Sequence, residues 1–104
     1  MDSFDPRTVE RYLITLRTIQ PARVQDVIAA YGEVWDVEVT PDLVELLKNL
    51  HENLRADSKL VTVRKGTYVL NKAGMLAVAG LLKVRVIDNS RLFLMKQQRK
   101  KYHG

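Results

Sequence analysis

The chain has 104 residues, no cysteine, and 17 Lys+Arg against 12 Asp+Glu, for a formal net charge of +5. This length supports one hydrophobic core, and the 46% hydrophobic fraction is typical of a globular protein rather than a disordered chain. The lack of cysteine excludes a disulfide framework, a thiolate nucleophile and a cysteine-based zinc site.

The amino-terminal residues have neither the basic start nor the apolar stretch of a signal peptide. The longest uncharged run, Ala73 to Leu82, is about half the length that a transmembrane helix needs. We therefore expect a soluble, cytoplasmic protein.

Three helices are predicted in the first half of the chain. Asp5-Pro6 is a typical helix start, and an apolar stripe follows until Gln20-Pro21 ends the first helix. A second helix runs from Val24 and is expected to end at Gly32, a common carboxyl-terminal cap. Thr40-Pro41 starts a third, leucine-rich helix that Asp57-Ser58 ends, and the VWDVEV stretch between the second and third helices has an extended pattern.

A β-hairpin follows the third helix. Two β-rich runs, Leu60–Val63 and Thr67–Leu70, flank the turn Arg64-Lys65-Gly66. A buried helix is then expected over Ala73–Leu82, and residues 83–86 fit either its continuation or a strand.

Asp88-Asn89-Ser90 predicts the start of a last helix with an apolar first turn and a basic remainder that we expect to fray. The fold class is thus mainly α with a small hairpin. Residues 1–87 would form the folded domain with its following helix, and residues 88–104 a basic helix or tail.

This order, three helices and then a hairpin, is that of a winged helix-turn-helix. The stretch from Arg23 to Leu70 resembles the HARE-HTH modules and the amino-terminal winged-helix domain of Mrr-type restriction proteins. The resemblance is carried by LVTVRKGTYVLNKAG, in which a basic residue, Gly, Thr, an aromatic residue, Val and Leu form the wing and Asn71 to Gly74 enters the next helix. The resemblance implies a nucleic-acid-binding fold but does not by itself determine function.

Charge is sorted along the chain in the way typical of polyanion binders. Residues 1–58 hold 6 Lys+Arg against 11 Asp+Glu, whereas residues 59–104 hold 11 Lys+Arg against the single acid Asp88. Each cation that meets a phosphate releases condensed counterions, so a basic half favours nucleic-acid binding. We expect double-stranded DNA contacts from the wing and the carboxyl-terminal segment, at Arg64, Lys65, Lys96, Arg99, Lys100 and Lys101.

The third helix is the expected recognition helix, and its usable side chains are Lys48, Asn49, Asn53 and Arg55. The helix also carries the acids Asp42, Glu45 and Glu52, which would repel DNA phosphates. In this it differs from the usual basic recognition helix. The acids leave open an alternative function, in which this face docks a basic protein partner. A third alternative is RNA binding through the same cations.

The apolar first turn of the last helix, with Leu92, Phe93 and Met95, and the apolar stretch Ala73–Leu82 together exceed what a small domain easily buries, and they predict a homodimer interface. The alternative is that these residues complete the monomer core. Trp35 is expected to anchor the core or a loop, Tyr68 to be a packed strand residue, and His51 to be a surface or boundary residue. We expect no metal, no cofactor and no enzymatic activity, because the chain has no metal-ligand, phosphate-loop or nucleophile motif.

Overall fold

The computed structural model describes residues 4–57, 59–84 and 87–104, with only the backbone described for residues 81–84. These ranges form five helices and one two-stranded antiparallel sheet, which confirms a mainly helical fold with a hairpin. The elements are α1 (Pro6–Ile19), α2 (Val24–Trp35), α3 (Pro41–Ala56), β1 (Leu60–Arg64), β2 (Thr67–Leu70), α4 (Lys72–Val84) and α5 (Asn89–His103). Among the described residues, no helix combines the length and apolar content required to span a bilayer.

Polar side chains start three of the helices where the sequence predicts. The Asp5 carboxylate accepts from the Arg7 amide at the start of α1, and the Thr40 hydroxyl accepts from the Leu43 amide at the start of α3. Asp88 does the same for the first turn of α5. These caps satisfy backbone N–H groups that have no partner within their own helix, so local sequence alone locates the helix starts.

The end of α2 differs from the prediction. The helix continues past Gly32 to Trp35, and Asp36 ends it in the left-handed region with a φ of 54°. Residues 34 and 35 of the predicted extended stretch are therefore helical, and residues 37–40 form no strand. Gly32 instead allows the Val39 side chain to approach the helix closely, because a Cβ at Gly32 would lie 2.5 Å from the Val39 Cγ2 atom.

The core lies where α1 meets α2, α3 and the hairpin. Its fully buried side chains include Tyr12, Leu16 and Ile19 of α1, Val27 of α2, and Leu47 and Leu50 of α3. Trp35 anchors the end of α2 to this core, as predicted, because its indole N–H donates to the Thr15 hydroxyl at 2.9 Å. The Arg11 guanidinium lies 5.1 Å from the Trp35 ring centroid and covers its outer side.

The hairpin is joined to the α1–α2 connection. Leu60 pairs with Leu70, and Gly66 forms the turn with a φ of 78°. Ala22 then adds one further pairing on the free side of β2: its N–H donates to the Tyr68 carbonyl at 3.0 Å, and the Tyr68 N–H donates back at 2.8 Å. The hairpin is therefore held against the start of α2, and Tyr68 is half-buried on the core, as predicted.

Helix α4 packs on α1 and on β2, and it approaches the hairpin closely at Gly74. The Gly74 N–H donates to the Asn71 side chain at 2.9 Å, and a Cβ at Gly74 would lie 2.7 Å from the Lys59 carbonyl oxygen. The expected burial of this helix is only partial, because Val78 is buried whereas Leu76 is 65% exposed. Of the ambiguous stretch, Lys83 and Val84 continue the helix, and residues 85 and 86 lie outside the described residues.

Helix α5 remains helical to His103, so the predicted fraying of its basic half is wrong. The helix packs against both α1 and α2. Three of its basic side chains donate to carbonyls in the last turns of those helices: Arg91 to Val34 at 2.5 Å, Arg99 to Thr18 at 3.1 Å, and His103 to Ile19. These donors satisfy carbonyls that have no partner within their own helix, and the Arg91 and Arg99 guanidinium groups also favour the negative end of the helix dipole.

His51 is buried in the core, not placed at the surface or boundary as predicted. Its Nδ1 atom lies 2.7 Å from the Tyr12 hydroxyl, and its ring packs edge-on against Tyr68 with centroids 4.5 Å apart. Burial lowers the pKa of His51 below its ordinary value of 6.5, because a charged imidazolium is poorly solvated there.

Candidate functional site

The hairpin tip and the end of α5 meet at one cleft, of 270 Å³, which we call the hairpin cleft. It is lined chiefly by Ala22, Arg23, Asp26, Arg64, Tyr102 and His103. Arg64 was predicted as a contact from the wing, and the cleft joins it to the basic carboxyl-terminal segment. Residues from three distant parts of the chain therefore surround one volume.

Backbone contacts position each side of this cleft. The Ala22–Tyr68 pairing holds Arg23 beside the hairpin, and the bond from His103 to the Ile19 carbonyl holds the end of α5 against the same connection. Arg23 is the amino-terminal cap of α2 and makes no side-chain capping bond there. The positive end of the α2 dipole thus opens beside the cations of the cleft.

Two guanidinium groups, those of Arg23 and Arg64, line the hairpin cleft, and guanidinium groups bind anions. Arg23, Arg64 and His103 face it, and Asp26 is the one acid among its described lining residues. Burial, followed by the charges of Asp26 and Glu33, raises the pKa of the Tyr102 hydroxyl above its ordinary value of 10.0. Tyr102 therefore stays neutral at physiological pH and can donate a hydrogen bond.

Three other predicted cations of the wing and tail, Lys65, Lys100 and Lys101, are not among the lining residues of this cleft. Lys65 is exposed in the hairpin turn, and Lys100 and Lys101 are exposed on the last turns of α5. The Lys101 ammonium lies 5.6 Å from the Tyr102 ring centroid, next to the cleft.

Lys96 and Arg99 line a second depression, of 420 Å³, between the end of α1, the start of α4 and α5. We call it the methionine groove, after Met75 and Met95. Its principal lining residues are Arg17, Gln20, Met75, Leu92, Met95, Lys96 and Arg99. Lys96 and Arg99 are three residues apart and so share one face of α5, which places these two tail cations at the methionine groove and not at the hairpin cleft.

The predicted recognition residues of α3 are not equivalent. Lys48 and Asn49 are exposed and line a shallow depression of 470 Å³ that also holds Glu45. Arg55 is occupied by Glu52, with an N–O distance of 2.9 Å. This hydrogen bond lowers the pKa of Glu52. The fourth predicted recognition residue, Asn53, is half-buried. The helix therefore presents fewer free donors than its sequence indicates.

The predicted dimer residues also differ in accessibility. Phe93 is 61% exposed and Leu92 40% exposed, whereas Met95 is half-buried and packs on the core. The homodimer stays a prediction, and Phe93 is the residue through which it is best tested.

Arg23 and Arg17 are site residues that sequence reasoning missed. Each is an isolated arginine beside apolar neighbours, so no local pattern distinguishes it from an ordinary surface cation. Only the pairing of Ala22 with Tyr68 and the docking of α5 bring them to the two sites.

Within the described ranges, no three His, Asp or Glu side chains come together in a way that would hold a metal ion. Comparison with protein-family models, with curated protein sequences and with solved structures gave no match.

Proposed function

We propose that this protein binds double-stranded DNA, with the hairpin cleft gripping the phosphate backbone. The observation that carries the proposal is the meeting of Arg23, Arg64 and His103 at one cleft, although they are distant in sequence. Guanidinium groups bind phosphate oxygens with charge-assisted, bidentate geometry, and Tyr102 supplies a neutral donor beside them.

The arrangement of elements supports a winged helix-turn-helix as the fold behind this function. Three helices precede the hairpin, and the hairpin tip carries Arg64 and Lys65. In this proposal the hairpin is the wing, and Lys65, Lys100 and Lys101 extend the backbone contact beyond the cleft. Such contacts position a protein on DNA and carry little sequence information.

Sequence preference would come from the exposed part of α3. Lys48 and Asn49 are free to reach base edges, and an asparagine amide can pair with adenine in the major groove. Arg55 contributes less than its position indicates, because Glu52 already holds its guanidinium. We therefore expect a large phosphate contribution to affinity and modest discrimination among sequences.

The test is the salt dependence of duplex binding, measured by fluorescence anisotropy with a labelled random duplex. Removal of one cation that neutralises a phosphate should lower the slope of log affinity against log salt by about 0.9. The double variant Arg23→Ala/Arg64→Ala should therefore reduce the slope by about 1.8. Arg7→Ala, an exposed arginine at the far end of α1, is the matched control and should leave the slope unchanged.

An equal slope for the double variant and the wild type would remove the hairpin cleft from the mechanism. Single-stranded DNA and duplex RNA are measured beside the DNA duplex. Tighter binding to RNA at the same salt would favour the RNA alternative, because cations alone do not separate the two polymers.

A second candidate function is docking of a basic protein through the outer face of α3. Val39 and Leu46 are 44% and 41% exposed there, beside Asp42 and Glu45. Exposed apolar side chains with acids beside them are typical of a protein contact rather than a DNA contact. Glu45→Lys distinguishes the two functions, since it should weaken partner capture and strengthen DNA binding.

A further inference from the structure

We propose that the methionine groove binds an acidic amphipathic helix of a partner protein. The groove lies between the end of α1, the start of α4 and the middle of α5, and Arg23 and Arg64 do not line it. This inference is therefore independent of DNA binding at the hairpin cleft.

The floor of the groove is apolar. Met75 and Met95 are half-buried against the core, and Leu92 is 40% exposed at their edge. The Gln20 side chain holds Met75 in place. The Gln20 Nε2 atom lies 3.5 Å from the Met75 sulfur, and the Gln20 Oε1 atom accepts from the Leu70 N–H at 2.8 Å. Flexible, polarisable methionines suit grooves that receive the apolar face of a helix.

The rim of the groove is cationic. Arg17 and Lys96 are exposed there, and the bond to the Thr18 carbonyl fixes the Arg99 guanidinium beside them. None of the described lining residues is acidic. An apolar floor with a basic rim complements a helix that has an apolar stripe flanked by carboxylates.

Other occupants fit the groove less well. A DNA backbone would neutralise the cations of the rim. It would leave Leu92 and both methionines uncovered, since phosphates and sugars do not pack against an apolar floor. A second copy placed symmetrically would bring Arg17, Lys96 and Arg99 against the same cations, and like charges across an interface oppose association.

The test uses the full chain and a labelled synthetic helical peptide with leucine at positions i, i+3, i+4 and i+7 and glutamate on both flanks. A second peptide has lysine in place of every glutamate. We expect the acidic peptide to bind at least about tenfold more tightly than the basic one, because charge complementarity selects between them. Equal binding of the two peptides would overturn the proposal.

Two protein variants test the rim and the floor separately. Arg17→Glu/Lys96→Glu should weaken binding of the acidic peptide by about tenfold or more, whereas Arg7→Glu, on the same helix as Arg17, should not. Leu92→Asn, which changes the floor without adding a charge, should also weaken binding, and the partial exposure of Leu92 makes it the safer variant if the double variant melts below the assay temperature. Unchanged affinity in both variants would contradict the proposal.

Sedimentation equilibrium and DNA competition examine the other occupants. Self-association that disappears in Leu92→Asn would show that a second copy fills the groove, which overturns the proposal. Displacement of the peptide by duplex DNA, with a reduced salt slope in Arg17→Glu/Lys96→Glu, would assign the groove to DNA and overturn it as well. A peptide that binds with normal affinity to Arg23→Ala/Arg64→Ala supports it, whatever the result for DNA.

Discussion

The Tyr12 hydroxyl and the His51 Nδ1 atom lie 2.7 Å apart in the core, and they join α1 to α3. The His51 Nε2 atom is buried and has no hydrogen-bond partner among the described residues. The imidazole is therefore stable there only in its neutral form, because the charged form would be left without solvation.

This pair predicts acid sensitivity of the fold. Burial lowers the pKa of folded His51 below 6.5, with Glu52 opposing and Arg55 adding to the effect, while the unfolded chain takes up a proton near 6.5. The stability that depends on neutral His51 is fully present above 6.5 and falls as the pH decreases below it. Urea unfolding between about pH 5 and pH 7.5 measures this, and His51→Gln should flatten the curve over that range. An equally steep curve in the variant would assign the sensitivity to other groups.

Two glycines of α4 provide a matched pair for testing the contact of that helix with the hairpin. Gly74→Ala should destabilise the fold by about 1–3 kcal/mol, because its Cβ would meet the Lys59 carbonyl, a backbone atom that cannot easily move. Gly80→Ala should stabilise it by about 0.5–1 kcal/mol, since among the described residues no atom outside the local helix backbone lies within 4 Å of the added Cβ, and alanine favours helix. Chemical denaturation measures both, and equal effects would mean that α4 does not approach the hairpin so closely.

The docking of α5 predicts a stability role for a basic side chain. Arg91→Met removes the bond to the Val34 carbonyl at the end of α2 and should cost about 1–2 kcal/mol of unfolding free energy. Lys100→Met is the control, because Lys100 is exposed on the same helix and should change stability little. Thermal unfolding of the two variants distinguishes them, and a similar melting temperature would argue against the capping role.

Self-association is tested at Phe93. Because this side chain is 61% exposed, Phe93→Asp should leave the unfolding free energy of the monomer nearly unchanged. If Phe93 lies at a homodimer interface, light scattering should show the mass fall to that of a monomer, because the variant would bury an unpaired charge. A variant with the wild-type mass would exclude Phe93 from any interface.

Local chemistry accounts for what the sequence predicts well. Asp5, Thr40 and Asp88 each combine a capping side chain with a following helical pattern, and the hairpin has its glycine turn between two β-rich runs. These features depend on residues within a few positions of one another. The prediction of helix and hairpin positions therefore needs no knowledge of the tertiary fold.

The errors come from contacts between distant residues. Gly32 has the pattern of a helix cap. In the structure, however, its lack of a side chain leaves room for Val39, which packs against it. Helix α5 has weak amphipathicity, and its sequence does not show that Arg91 and Arg99 donate to carbonyls of α2 and α1 and that Met95 and Tyr102 pack on the core. The hairpin cleft depends on the same docking, so Arg64 was predictable as a wing cation and its partner Arg23 was not.

Three hydrogen bonds link α5 to the ends of α1 and α2. The two residues in each bond are separated by 57, 81 and 84 positions in the sequence, respectively. Contacts so distant in sequence require the closure of a long loop, which slows folding. During translation, α1 and α2 leave the ribosome well before the segment that completes their last turns. The last carbonyl groups of α1 and α2 are therefore exposed to water, and the helix ends are accessible to proteases, until α5 has emerged.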